Sequence, residues 1–372
     1  MDELDLLARA LPDARPPSPE VVARARARLT GPPVRPVRRR AWTWAAATAV
    51  VVTAAIVTLV FSLVAYLTPA PVAVAPRANQ ALFDLADRIE RLPEESGVYW
   101  RQVSIPGNYQ KADGLTYLAS TRLETWQSRD PADPMLMVFW SEPIARPATA
   151  ADERAWRAAG SPRRIKLLCE DGERCPSVSV TDKLGKCIYR QDAAAGGVLP
   201  DRTVGTLTMA DLAAFPTDQD GLREKLRAYH KAWYKRGFKE PFEKFLPVTA
   251  NLLDLPLRPD QRAALIRLLA GVPSTKVVGT VTDPLGRPAL SVDFGVARHA
   301  LVYDSKKGKE LQVYSRTLLD PGTGKTLADV SYAARTAVWA DKGDPMTFTA
   351  TAPESGWTTA RPTPPEGCEK RR

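Results

Sequence analysis

The chain has 372 residues, 44% hydrophobic and 25% charged, which excludes the low-hydrophobicity, high-charge composition of a disordered protein and leaves material for a buried core. The net charge is +10, but no long basic run with interleaved aromatics occurs, so a nucleic-acid partner is not expected.

Residues 1–40 form a basic segment that reads as two short amphipathic helices divided by Pro12, Pro16 and Pro17. Leu4, Leu6, Leu7 and Leu11 mark the first, and Ser18 with Pro19 opens the second. Helices this small bury no core alone. The segment is either a basic tail or a docking peptide for a cytoplasmic partner.

Residues 41–67 are apolar apart from Thr43, Thr48, Thr53, Thr58 and Ser62. At about 1.5 Å of helix rise per residue they are long enough to cross a ~30 Å hydrocarbon core with some tilt, which predicts a single transmembrane helix. Trp42 and Trp44 at one end and Tyr66 at the other fall in the headgroup layer, and Pro69 and Pro71 stop the helix. Arg38, Arg39 and Arg40 stand at the membrane edge, where they meet anionic lipid. Because only Arg77 follows soon after the span, the N-terminus is expected in the cytoplasm. A cleaved signal peptide fits poorly, since its apolar core runs about 7–15 residues and follows a much shorter start.

Residues 68–77 are a Pro-rich linker to an extracytoplasmic domain, 78–350. Asn79 is placed to cap a helix with Leu82, Leu85, Ala86 and Ile89 on one stripe. The apolar period then becomes two over 98–105, 115–128 and 135–140, separated by Gly107 with Asn108 and by 130–134, which predicts antiparallel strands. Thr149 with Asp152 opens a short helix that Gly160 ends, and 165–190 reads as a strand and a hairpin. Thr208 with Asp211 and Thr217 with Asp220 open two more helices; the longer carries Leu222, Leu226, Tyr229 and Trp233 on one face and many cations on the other. A helix over 258–271 precedes strands at 276–281, 289–294, 300–303, 309–316 and 326–340, with Asp- and Gly-bearing turns between them. Residues 351–372 read as a polar, Pro-rich, disordered tail.

This order predicts an α+β fold: a curved, mostly antiparallel sheet with packed helices, analogous to the lipoprotein-carrier fold, in which a sheet wraps over helices and leaves an apolar hollow. On its concave face Trp100, Tyr117, Trp126, Phe139 and Trp140 are candidate ligand-facing rings, although buried aromatics equally build an ordinary core.

The four cysteines, Cys169, Cys175, Cys187 and Cys368, lack zinc-knuckle spacing, and His230 and His299 are too distant to complete a metal set. Outside the membrane an even count points to disulfides with three possible connectivities; Cys169–Cys175 with Cys187–Cys368 is the one the local loop favours. The stretch Gly322, Thr323, Gly324, Lys325, Thr326 lacks the first glycine of a phosphate loop and reads as a hairpin turn. No nucleophile-and-base pattern argues for catalysis, and no cofactor is expected.

The chain resembles a family of actinobacterial single-pass membrane proteins often encoded near extracytoplasmic-function sigma factors. The resemblance covers most of the chain and is carried by MDELDLLARAL at 1–11, ARARARL at 23–29, residues 79–89, ADERAWRAAGSP at 151–162, FPTDQDGLREKL at 215–226, VGTVTDPLGRPALSV at 278–292 and residues 301–308. It implies a sigma factor or similar regulator as cytoplasmic partner. The expectation is therefore a non-enzymatic, membrane-anchored binding or sensing protein. A tethered carrier for an apolar cell-envelope ligand is the second reading, and an envelope enzyme the third.

Overall fold

The computed structural model describes residues 79–166, 177–192, 198–201, 205–235, 239–296, 299–304, 309–336 and 340–371. The segments 1–40, 41–67 and 68–77 lie outside them, as do Cys169 and Cys175. Among the described residues no helix is long and apolar enough to cross a membrane.

The expected α+β layout with a mostly antiparallel sheet is corrected: a single mixed sheet of 14 strands dominates, and the helices are few. Its first part is β1 (Tyr99–Ala112), β2 (Leu115–Ser128) and β3 (Met135–Pro147), paired antiparallel. The β1–β2 turn is Asp113-Gly114, both at positive φ (49° and 77°), as a two-residue hairpin requires. It is not at Gly107-Asn108, where the sequence places a break. A side chain at Gly107 would meet Phe348 Cζ at 2.5 Å and the Ala119 carbonyl at 2.6 Å, so this glycine makes room inside the sheet.

On one side of β3 lies β6 (Cys187–Asp192). On the other side of β1 the sheet continues through β14 (Pro345–Thr351), β13 (Thr326–Ala333), β12 (Lys309–Leu319), β10 (Pro288–Asp293) and β9 (Lys276–Thr282). Further strands are β4 (Arg164–Lys166) and β5 (Ser177–Val180) beside β3, β11 (His299–Asp304) on β12, and β15 (Gly356–Thr358) on β1. A separate hairpin joins β7 (Val198–Asp201) and β8 (Gly205–Thr208). The sheet is mixed because β5 runs parallel to β3, and β16 (Glu369–Lys370) parallel to β6. Local alternation shows a strand but not a partner brought from far along the chain. The expected disordered tail is corrected on the same ground: β15 and β16 pair within it, and Cys368 is bonded to Cys187.

The helices are α1 (Gln80–Ile89), α2 (Ala150–Ala158), α3 (Met209–Ala213), α4 (Gln219–Lys235), α5 (Phe242–Val248) and α6 (Pro259–Ala270), with a 3-10 turn at Thr249–Asp254. Leu82, Leu85, Ala86 and Ile89 are buried as their spacing predicts, and the capping boxes of Thr149–Asp152 and Thr208–Asp211 are formed. Asn79 does not cap. Its amide donates to the carbonyls of Ala270 (3.1 Å) and Thr275 (3.0 Å) and so ties the start of α1 to the end of α6.

The register sorts the two faces of the sheet. On one, Val292, Leu290, Leu319 and Val277 pack under α1, α4 and α6. On the other, Leu118, Ile105, Phe348, Ala350, Val330, Ala328, Leu318, Ala289 and Val281 pack on one another. A flat sheet would separate β3 from β10 by about 29 Å at ~4.8 Å per strand. Yet Arg146 near the end of β3 donates to the Pro284 carbonyl in the β9–β10 turn. The sheet is therefore curled, with the second face inside and the helices outside. The carrier analogy, with helices under the concave face, is corrected accordingly.

On the outer face Asp329 accepts a hydrogen bond from the Thr317 hydroxyl at 2.7 Å, and burial pushes its carboxyl up to about 6 from 3.8. Because the folded state holds this proton more tightly than the unfolded chain, the stability it confers is complete below about pH 3.8 and is lost as pH rises through about 6. Asp329→Asn is expected to flatten that part of the pH profile and to be more stable than wild type at neutral pH. Denaturant melts across about pH 4 to 7 check this.

Candidate functional site on the inner face

A hollow of about 230 Å³ opens on the inner face, where the curl brings β1, β2, β3 and β14 against the β9–β10 turn. Ile105, Ile144, Leu184, Leu285 and Phe348 give it apolar walls, and Arg122, Arg146, Ser120, Thr121 and Asp182 add polar groups. Alternation along the strands sets this lining: Ser120 pairs with Ile144, and Gly107 with Phe348.

Arg122 is held from behind. Its guanidinium donates to Glu124 at 3.2 Å and to Glu354 at 2.8 Å, and it lies over the Trp140 ring at 5.3 Å. Its Nε is buried and has no acceptor. Glu124 also accepts from Arg101 Nε at 2.9 Å and from the Trp126 indole at 2.7 Å. Burial pushes the Glu124 carboxyl up, but the bonds from Arg101, Trp126 and Arg122 outweigh it and hold the group below the usual carboxylate range. Glu354 is likewise lowered, its burial outweighed by a backbone bond and by Arg122. Both acids are thus ionised and keep Arg122 in one orientation. Arg146 is bonded to a carbonyl alone among the described residues, so its charge remains available at the rim. The arrangement suits a ligand with an apolar body and an acceptor-bearing end.

The five aromatic rings proposed from the sequence do not share one surface. Trp126 and Trp140 are on the inner face, in a cluster with Leu136, Val138 and the Cys187–Cys368 disulfide. Trp100, Tyr117 and Phe139 are on the outer face by register. Tyr117 is sealed among Ala112, Ala119, Ala145 and Ile165 beneath Trp156 of α2, Phe139 is exposed, and Trp100 packs edge-on against Trp357 at 5.7 Å. None of the five borders the hollow. The residues that do were missed, although one signal was readable: Arg122 and Glu124 stand two apart inside a predicted strand, so opposite charges share one face of the sheet. The membrane-edge residues Arg38, Arg39, Arg40, Trp42, Trp44 and Tyr66 lie outside the described residues. Among the described residues no cluster of His, Cys, Asp and Glu could hold a metal ion. The Gly322–Thr326 stretch is the β12–β13 turn and the start of β13, and not a phosphate loop at a helix.

No family model and no curated protein matches the chain. Among solved structures, it is similar to a DUF1329 family protein from Desulfovibrio piger at 10% identity, over 74% of this chain and 91% of that one, with a TM-score of 0.15. A likeness of that size carries no argument about fold or function.

Proposed function

We propose that the sheet domain is a binding protein whose inner-face hollow takes a small amphipathic molecule, its apolar body against Ile105, Ile144, Leu285 and Phe348 and its acidic end toward Arg122 and Arg146. The observation that carries this is Arg122 Nε, buried and without an acceptor, on a side chain that lines a hollow with apolar walls on Ile105, Ile144, Leu285 and Phe348. A carboxylate or phosphate on the ligand supplies the acceptor, and the walls exclude water from it. The test is calorimetric titration of the detergent-extracted protein with octanoate and with octanol. The acid is expected to bind saturably and at least about tenfold more tightly than the alcohol, since a hydrogen bond to a charged group contributes roughly 1.5–3 kcal/mol. Ile144→Trp, which fills the hollow, is expected to abolish binding. Equal affinity for acid and alcohol, or binding that survives Ile144→Trp, overturns the reading.

We also propose that the domain works on the outer face of the cell membrane. Support comes from the charge asymmetry around the apolar segment 41–67 and from the Cys187–Cys368 bridge, a bond at home in an oxidising compartment. The redox state of that pair in intact cells tests it.

A further inference from the structure

Between the outer face of the sheet and the helices, a second cavity of about 40 Å³ lies where β1, the β12–β13 turn and α6 meet. Three residues that line it are almost wholly buried: Trp100 is 6% exposed, Arg262 3% and Thr326 5%. Each keeps a buried polar atom without a partner, namely Trp100 Nε1, Arg262 Nε and Thr326 Oγ1. The indole and guanidinium nitrogens can only donate, and the hydroxyl can donate too, so the cavity needs an acceptor. Buried orphans of this kind are uncommon singly, and here three of the residues that border one void each carry one.

Charge decides what that is. The other guanidinium nitrogens of Arg262 donate to carbonyls, to Thr323 at 3.3 Å and Leu257 at 2.8 Å, and among the described residues no carboxylate pairs with it. Burial pushes the guanidinium below its ordinary value, and the acid whose field opposes this, Glu95, is already paired with Lys325. Asp254 also borders the cavity and has a partner. A cation this deep is costly without a counter-charge. Water would supply an acceptor but would leave the Arg262 charge without a counter-charge.

We propose that this cavity binds a small inorganic anion, chloride in an ordinary saline medium, held by Trp100 Nε1, Arg262 Nε and the Thr326 hydroxyl. The ion neutralises Arg262 and joins α6 to the first and thirteenth strands, so it acts as a structural pin independent of the inner-face hollow.

Crystals of the full chain grown in sodium bromide test this directly. An anomalous peak within hydrogen-bond distance of the three atoms is expected; an ordered water there without anomalous signal overturns the proposal. In solution, replacing gluconate by chloride at constant ionic strength is expected to raise the thermal midpoint saturably. That upward shift should be lost in Thr326→Val, a near-isosteric change read by its chloride response and not by its absolute stability. A shift that persists in Thr326→Val would identify an adventitious ion only.

Discussion

Cys368→Ser is expected to give one of the largest losses of stability of any single substitution in the sheet domain. The bridge joins residues 181 apart, and the chain-entropy account gives about 5 kcal/mol for a loop of that length, against about 2–4 kcal/mol for a typical bridge. Its position argues for the lower end: β16 is a two-residue strand at one edge of the sheet, so it can peel from β6 before the sheet opens. Cys368 is the better probe, because Cys187 is buried with Trp126 and Trp140 and a hydroxyl there adds a penalty unrelated to the bond. Equilibrium unfolding should show a midpoint loss, and amide exchange should show β16 opening ahead of the rest. In cells alkylated before lysis, wild-type Cys187 and Cys368 should be found bonded. Two free thiols in that experiment remove the outer-face location, and a variant as stable as wild type removes the bridge as a determinant of the fold.

Local signals were legible and distant ones were not. The stripe of Leu82, Leu85, Ala86 and Ile89 is buried as its period says, the Thr149–Asp152 box forms, and Cys187 pairs with Cys368. These depend on residues a turn apart or on elimination within a small set. Gly107 misled because a glycine that admits a neighbour reads the same as one that turns the chain, and only the position of Phe348 distinguishes them. The inner-face site was unreadable for the same kind of reason. It needs strands β1, β2, β3 and β14 and the turn bearing Leu285 at once, and the curl that joins them is a property of the whole sheet. Bulky aromatics drew attention instead: Tyr117 is packed on the outer face, Trp126 and Trp140 on the inner one, and Phe139 is exposed.

Gly324→Ala is expected to destabilise the domain by about 2–4 kcal/mol, because two independent costs fall on one atom. The residue sits in the β12–β13 turn at φ 64°, a left-handed conformation in which a side chain costs roughly 1–2 kcal/mol. Its added Cβ would also lie 2.2 Å from Ile89 Cδ1 and 2.9 Å from Ile266 Cδ1, so the turn would have to lift from α1 and α6 or drive both isoleucines off their rotamers. The turn resists lifting: Asp320 Oδ1 accepts from the amides of Gly322 at 2.8 Å and Thr323 at 2.7 Å, and the Arg88 guanidinium donates to the Pro321 carbonyl at 3.1 Å. Gly286 supplies the control. It has φ 86° in the β9–β10 turn with nothing within 4 Å of its would-be Cβ, so Gly286→Ala carries the backbone cost alone, roughly 1–2 kcal/mol. Chemical denaturation of the two variants side by side separates strain from packing. If both lose the same amount, the contact of this turn with Ile89 and Ile266 contributes nothing, and the close seating of the β12–β13 turn on the helices is wrong.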